Sequence, residues 1–199
     1  MPRKRPEQVA ETRRVFLRSA AKCFAAAGFE KATLKDIASE AGMTVPTLYS
    51  YFASKQDLVQ ALIDQLIAEM SDLFDVLLPR GLTFAQKLEL LLAHQLRWSE
   101  ERRDAFQFLM RLERRDVEEE TSTHRQHLDR LEAWLTEHAD PEELRVEPRT
   151  TALVIDALGN AWFRRWLEDG ARPGELVRRA PEYADLVLHG VGTGSLVEE

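Results

Sequence analysis

Twelve residues, Thr44 to Lys55, hold Thr44, Thr47, Tyr49, Ser50, Tyr51 and Lys55. Hydroxyls and a lysine are groups that reach phosphate oxygens, and small apolar groups such as Val45 and Pro46 suit a thymine methyl in the major groove. Thr33 and Lys35 lie just upstream. Arg3-Lys4-Arg5 is a basic arm that would add phosphate or minor-groove contacts, with a solvated tail as the alternative. Tyr49 and Phe52 also have a plain packing explanation against a following long helix, which is preferred for Phe52.

Other reactive side chains are scattered. His124 and His127 stand at i, i+3 near Glu118-Glu119-Glu120, and His94, His138 and His189 lie apart. A metal site is conceivable, but there is no HExxH and no paired Glu-x-x-His of the di-iron type, so exposed surface histidines are the better reading. No Ser/His/Asp or Cys/His order stands out. The Gly190–Gly194 run lacks the strand and helix that flank a nucleotide loop and reads as a frayed tail. Neither catalytic residues nor a metal or cofactor are expected. Cys23, the single cysteine, cannot form an internal disulfide and reads as a small buried hydrophobe.

Elements that position these residues follow from the spacing. Apolar residues recur every three or four positions, strand signals are missing, and glycine and proline sit at boundaries. The pattern predicts an all-α chain of about nine helices. The first runs over 6–27 on a stripe of Phe16, Leu17, Ala20 and Phe24, closed by Gly28. A short second helix opens with Thr33 as N-cap and Asp36 at N3 and ends at Ala41-Gly42. Thr44 caps a third, from Val45 to about Tyr51, with Pro46 tolerated in its first turn. Ser54 and Asp57 open a long fourth on Leu58, Leu62, Leu66, Met70, Phe74 and Leu77, stopped by Pro79. Thr83 and Gln86 box a fifth bearing Phe84, Leu88, Leu92 and Leu96. Further helices are expected over 104–115, 123–137, 149–169 and 181–190. Two short helices about Gly42-Met43-Thr44 have the size of a helix-turn-helix.

Charge divides the chain. Residues 1–60 carry ten Lys/Arg against six Asp/Glu, a surplus of four, so the rest holds a net −11 within a total of −7 over 199 residues. A basic module joined to an acidic body attracts phosphate in one place and repels it elsewhere. At 44% hydrophobic and 31% charged, the chain can bury a core and is not a disordered tail. No run approaches the ~18 apolar residues of a membrane span, and Glu7, Glu11 and Arg13 fall where a signal peptide would be apolar. A cytoplasmic protein without membrane contact is expected.

The run from Gly28 to Lys55 resembles the DNA-binding domain of the TetR family of bacterial transcriptional regulators. The likeness covers about 12–62 through Gly28-Phe29, Thr33, Ile37-Ala38, Ala41-Gly42, Leu48-Tyr49, Tyr51-Phe52 and Ser54-Lys55 at family spacing. Pro46 replaces a common glycine, and Ala32 a common Thr or Ser. The resemblance implies a three-helix DNA-binding domain over 1–54 and a larger helical ligand-binding and dimerisation domain over 55–199. It implies that Thr33 and Lys35 reach phosphate and a base edge. Thr44, Val45, Pro46, Thr47 and Tyr49 would face the groove, and Tyr51 and Lys55 would clamp the backbone. Two copies about one turn (~34 Å) apart would read a pseudo-palindromic operator on double-stranded DNA.

Beyond Leu62 the resemblance is generic. It implies a homodimer through the last two long helices. The eighth is apolar or small around much of its circumference, as a doubly buried helix must be. Ala152, Ile155, Gly159, Phe163, Tyr183, Leu186 and Val187 are the expected interface, and Gly159 in mid-helix suggests close packing. His94, Trp98, Phe106, Met110, Trp134, Trp162 and Trp166 have the composition of an apolar pocket with a few orienting groups. No cationic cluster falls on the predicted inner faces, so the expected effector is a small hydrophobic or aromatic molecule that swings the fourth helix and releases DNA. A DNA-organising or partner-binding protein without ligand response is the other reading, and a helical metal enzyme the third.

Overall fold

The computed structural model describes residues 5–75, 78–113 and 122–190. Its elements are α1 (Pro6–Ala27), α2 (Leu34–Glu40), α3 (Val45–Tyr49), α4 (Lys55–Asp72), α5 (Phe84–Glu101), α6 (Arg103–Glu113), α7 (Ser122–His138), α8 (Pro148–Glu168) and α9 (Ala180–His189). Two 3-10 turns, Pro141–Glu143 and Val177–Arg179, precede α8 and α9. Among the described residues there is no strand, and no helix is long and apolar enough to cross a membrane. Among the described residues the fold is all-α, as expected, with nine α-helices where about nine were expected. The fourth helix ends at Asp72 rather than running on to Leu77, which lies outside the described residues, as do the Arg3-Lys4 arm, Glu118–Glu120 and Val191–Gly194. Phe74, in the turn beyond α4, is still buried.

The described residues divide into two compact units, one of 5–69 with 102–113, the other of 70–101 with 122–190. In the first unit, α1 starts on Pro6, whose missing N–H costs nothing there, and closes on Gly28 at φ +81° with its N–H on the Phe24 carbonyl (2.9 Å). The predicted stripe of α1 is buried throughout. α1 packs on α2 and on α6, with the Phe24 and Phe108 rings stacked 4.9 Å apart, and the Arg111 guanidinium of α6 donates to the Ala25 carbonyl. That cation meets orphan carbonyls at the end of a helix that has no basic residue in its own last turn. Sequence periodicity did not reveal that α6, fifty residues downstream of the helix-turn-helix, belongs to this unit.

In the second unit α7 packs on α8 and α5 on α9. Leu128, Leu131 and Leu135 of α7, Ala152, Ile155 and Phe163 of α8, and Leu88, Leu91 and Leu92 of α5 are buried. The Glu100 carboxylate at the end of α5 accepts from the backbone N–H groups of Gly174 (2.7 Å), Leu176 (2.6 Å) and Val177 (3.2 Å), fixing the loop before α9. Arg149 ties α8 to α7 through Asp129 (2.6 Å) and Glu132 (3.2 Å).

Tyr183 explains the mid-helix glycine. Its hydroxyl donates to the Ile155 carbonyl, and a Cβ on Gly159 would stand 2.8 Å from the Tyr183 hydroxyl oxygen. Burial, with Asp156 nearby, pushes the phenol well above its ordinary pKa, so it stays a donor. Gly159→Ala is expected to lower stability by about 1–2 kcal/mol, because overpacking outweighs the ~1 kcal/mol of helix propensity gained. In a Tyr183→Phe background the same change is expected to be neutral or stabilising. Denaturant unfolding of the four proteins checks this.

Candidate nucleic-acid interface

Helices of seven and five residues are too short to stand alone in water, so α2 and α3 depend on their ends. At α2 the Thr33 hydroxyl accepts from the Asp36 N–H (3.2 Å) and donates to Asp36 Oδ2 (2.6 Å), and Oδ2 also accepts from the Thr33 N–H (3.0 Å). After Glu40 the chain turns through Gly42 at φ +66°, with Gly42 N–H on Ser39 O (3.0 Å) and Met43 N–H on Ala38 O (2.8 Å). These two bonds form a Schellman closure, which needs a left-handed residue at the glycine. α3 then opens on Thr44, whose hydroxyl accepts from the Thr47 N–H (3.3 Å) and lies 2.9 Å from the Thr47 hydroxyl.

Burial orients the pair. Ile37, Ala38 and Leu48 are fully buried, whereas Tyr49 is 54% exposed. Thr44, Pro46 and Ser50 are exposed and Val45 and Thr47 half-buried, so α3 presents the expected hydroxyl and small apolar surface. Phe52 is buried, with its ring 6.3 Å from Phe16 of α1, where packing against the fourth helix was expected. Tyr51 is half-buried, with its ring 5.6 Å from Phe16. Lys35 is exposed on α2, where the Thr33 hydroxyl is already engaged by Asp36. Lys55 lies over the Phe29 ring at 4.3 Å and donates to the Glu30 carbonyl (3.3 Å). Cys23 is half-buried, and burial pushes its thiol pKa up, the opposite of a reactive thiol.

This capped pair, with its glycine turn and polar outer face, has a counterpart among known proteins. Residues 16–62 match the family model described as bacterial regulatory proteins, tetR family. A probable HTH-type transcriptional regulator, ArpR of Pseudomonas putida, is 38% identical over 87 residues, 41% of each chain. The likeness to the tetR family rests on residues 16–62, about a quarter of the chain. The relatives matched there are named as HTH-type transcriptional regulators. The ArpR match spans about two fifths of that curated relative. Solved structures extend the likeness of fold to the whole chain. FadR of Bacillus halodurans has a TM-score of 0.76 at 17% identity, over 96% of this chain and 98% of its own. FadR of Bacillus subtilis, solved with stearoyl-CoA, has a TM-score of 0.64 at 19% identity, over 90% and 99%.

The residues expected in a ligand pocket are not all in one unit. Phe106 and Met110 stand on α6 in the first; the other five stand in the second. Trp98 and Trp134 are buried, the latter stacked on His138 at 4.5 Å. Trp162 and Trp166 line a cleft of about 660 Å³ between the end of α8 and the start of α9. Its other walls include Arg165, Arg172, Arg178 and Arg179, a cationic grouping that sequence reading did not find because three of the four lie in the loop and 3-10 turn before α9. Asp169, Glu175 and Glu182 pair with Arg165, Arg172 and Arg179.

Two corrections concern histidines and the dimer face. His124 and His127 are not on the surface: both are half-buried, His124 bonds Asp156 at 3.1 Å, and burial pushes His127 below the ordinary histidine pKa. His127 Nδ1, like His94 Nδ1 and Gln95 Nε2 on α5, is buried without a hydrogen-bond partner among the described residues. Gln95 gave no signal in the sequence. Ala152, Ile155, Phe163 and Tyr183 are at most 2% exposed within their own chain, so these side chains have no area left for a partner. Leu186 and Val187 are half-buried. The outward face of α8 carries Leu153 (47% exposed), Val154 (46%), Ala157 and Ala161.

The α2 cap has a pH signature. Hydrogen bonds from Thr33 hold the Asp36 carboxyl below its ordinary pKa. A depressed pKa in the folded state stabilises above the ordinary aspartate value and loses that contribution as pH falls through the folded one. Asp36→Asn is therefore expected to lower the Tm at pH 7, with the gap from the parent protein shrinking below about pH 4. Thermal unfolding at several pH values measures it.

Proposed function

We propose that the chain acts as a homodimeric repressor that holds a pseudo-palindromic operator through two copies of α3 and lets go when a small molecule enters the second unit. Residues 1–54 do the reading; 55–199 serve dimerisation and the ligand. The observation that carries this reading is the capped α2–α3 pair, whose outer surface is polar and exposed while Ile37, Ala38 and Leu48 hold it from behind. In this arrangement Thr44, Val45, Pro46, Thr47 and Tyr49 enter the groove, and Thr33, Lys35, Tyr51 and Lys55 fix the backbone.

The partner face of the dimer is the exposed side of α8 at Leu153, Val154, Ala157 and Ala161, together with Leu186 and Val187 of α9. An apolar stripe of this kind on a helix whose opposite side is already buried supports a second copy as its cover. The effector is an apolar or aromatic molecule with at least one oxygen, since the Gln95 amide is an unsatisfied donor and His94 and His127 offer ring nitrogens. The neighbouring FadR in complex with stearoyl-CoA makes a long-chain acyl thioester the first compound to try. Such a regulator works in the cytoplasm, where its DNA is.

Selection of duplexes from a random pool, followed by footprinting, is expected to yield a palindrome with protected half-sites about 10 base pairs apart. Lys35→Ala should weaken binding to every fragment and lower the salt slope by about one, whereas Thr47→Ala should relax preference at one base position. Sequence-independent retention would favour a DNA-organising role and sink the operator reading. Sedimentation tests the dimer: Leu153→Glu with Val154→Glu is expected to give a folded monomer with much weaker operator binding. A wild-type monomer at micromolar concentration would refute the dimer. Release of the footprint by stearoyl-CoA or by 2-naphthol, and its loss in His94→Leu, would support the effector site; indifference to both would remove these two classes.

A further inference from the structure

We propose that Phe29 is the seat that positions Lys55 for DNA, and that α6 sets this seat through a column of packed rings. The proposal rests on the reading of Lys55 as a phosphate contact. Lys55 is the first residue of α4, and its Nζ meets two groups of the segment between α1 and α2: the face of the Phe29 ring at 4.3 Å and the Glu30 carbonyl at 3.3 Å. An ammonium has three donors. One goes to the carbonyl, the ring quadrupole takes positive charge on its face, and the remaining hydrogens stay available to an incoming oxygen. The residue is half-buried. A lysine usually surrenders its rotamer freedom when it clamps a phosphate; this one has surrendered most of it beforehand.

The seat is not free to wander. Phe29 lies 5.8 Å from Phe24, and Phe24 is stacked on Phe108 at 4.9 Å with 29° between planes. Phe24 and Phe108 are at most 2% exposed, so neither ring can turn without moving its neighbours. Phe108 rides on α6, and the Arg111 bond to the Ala25 carbonyl fixes the same helix against the last turn of α1. α6 therefore stands three rings from Lys55, and Phe29 and Phe108 are positioning residues that act through it. Neither needs to touch DNA.

Affinity for a duplex selected with the wild-type protein, followed as a function of salt, tests the column. Phe29→Leu is expected to weaken binding roughly three- to tenfold, a share of the rotamer freedom of lysine, whereas Phe29→Tyr, which keeps the ring face, holds the parental affinity. Phe29→Met replaces the leucine variant if that one does not fold. Lys55→Met should weaken binding and lower the salt slope by about one. Adding Phe29→Leu or Phe108→Leu to Lys55→Met should then change nothing further, although each weakens binding on its own. Equal losses in both backgrounds, or no loss from Phe29→Leu, would overturn the seat. If Lys55→Met itself leaves affinity and slope unchanged while Thr47→Ala does not, the phosphate role of Lys55 is what fails, and the proposal goes with it.

Discussion

Everything at the reading end depends on closing helix ends that cannot close themselves. α2 and α3 together have twelve residues, fewer than one autonomous helix needs. Each of their four ends leaves backbone groups unpaired. The chain meets this with side chains at the two starts, Thr33 with Asp36 and Thr44 with Thr47, and with backbone bonds through Gly42 at the join. Because the same few bonds set both the existence of the helices and the angle between them, the exposed surface of α3 is rigid without being buried. Leu48, fully buried beneath it, supplies the hydrophobic anchor that holds the outer residues in place.

The second unit shows the opposite economy. There the helices are long, and specificity comes from where they can approach. Gly159 lets the Tyr183 hydroxyl reach the Ile155 carbonyl, and that contact draws α9 against one side of α8. A tyrosine buried to 2% exposure needs its hydroxyl bonded, so the glycine is required by the tyrosine and not by the helix. Using that side for the chain's own core leaves Leu153 and Val154 on the other. One close approach thus decides which face of α8 is inside and which is left over.

These two regimes explain what could be read from the sequence. Capping is a local code: Thr33 to Asp36, Gly42, Thr44 to Thr47 and the Gly28 stop are written in residue type and spacing, and the observed bonds follow them. The stripes of α1 and α5 were legible for the same reason. Facing partners are a different matter. An eighth helix apolar around its circumference says that two surfaces cover it, and not which residue meets which, so Ile155 and Phe163 were assigned outward when they point in. α6 carries a strong amphipathic pattern, yet nothing local tells that its Phe108 meets Phe24. The histidines failed likewise: His127 lies beside the Phe74 ring and near the Asp156 charge, both distant in sequence.

Charge completes the link from structure to DNA. The head has only a small positive surplus, and several of its cations are engaged: Lys22 with Glu40 at 2.5 Å, Arg14 and Arg18 with Glu11, and Arg13 over Phe52. A regulator that binds by mass of positive charge would leave such cations free. Here they are paired on the protein itself, with Lys22 bridging α1 and the end of α2, while Lys35 stays exposed as one of the lysines that the proposed reading puts on phosphate. With few charges, each contributes a visible share of the salt dependence, and the position of a single ammonium matters. An acidic body of net −11 further weakens non-specific attraction to nucleic acid. On the proposed reading, selectivity rests on shape and hydroxyls at α3, the part of the molecule its caps hold in place.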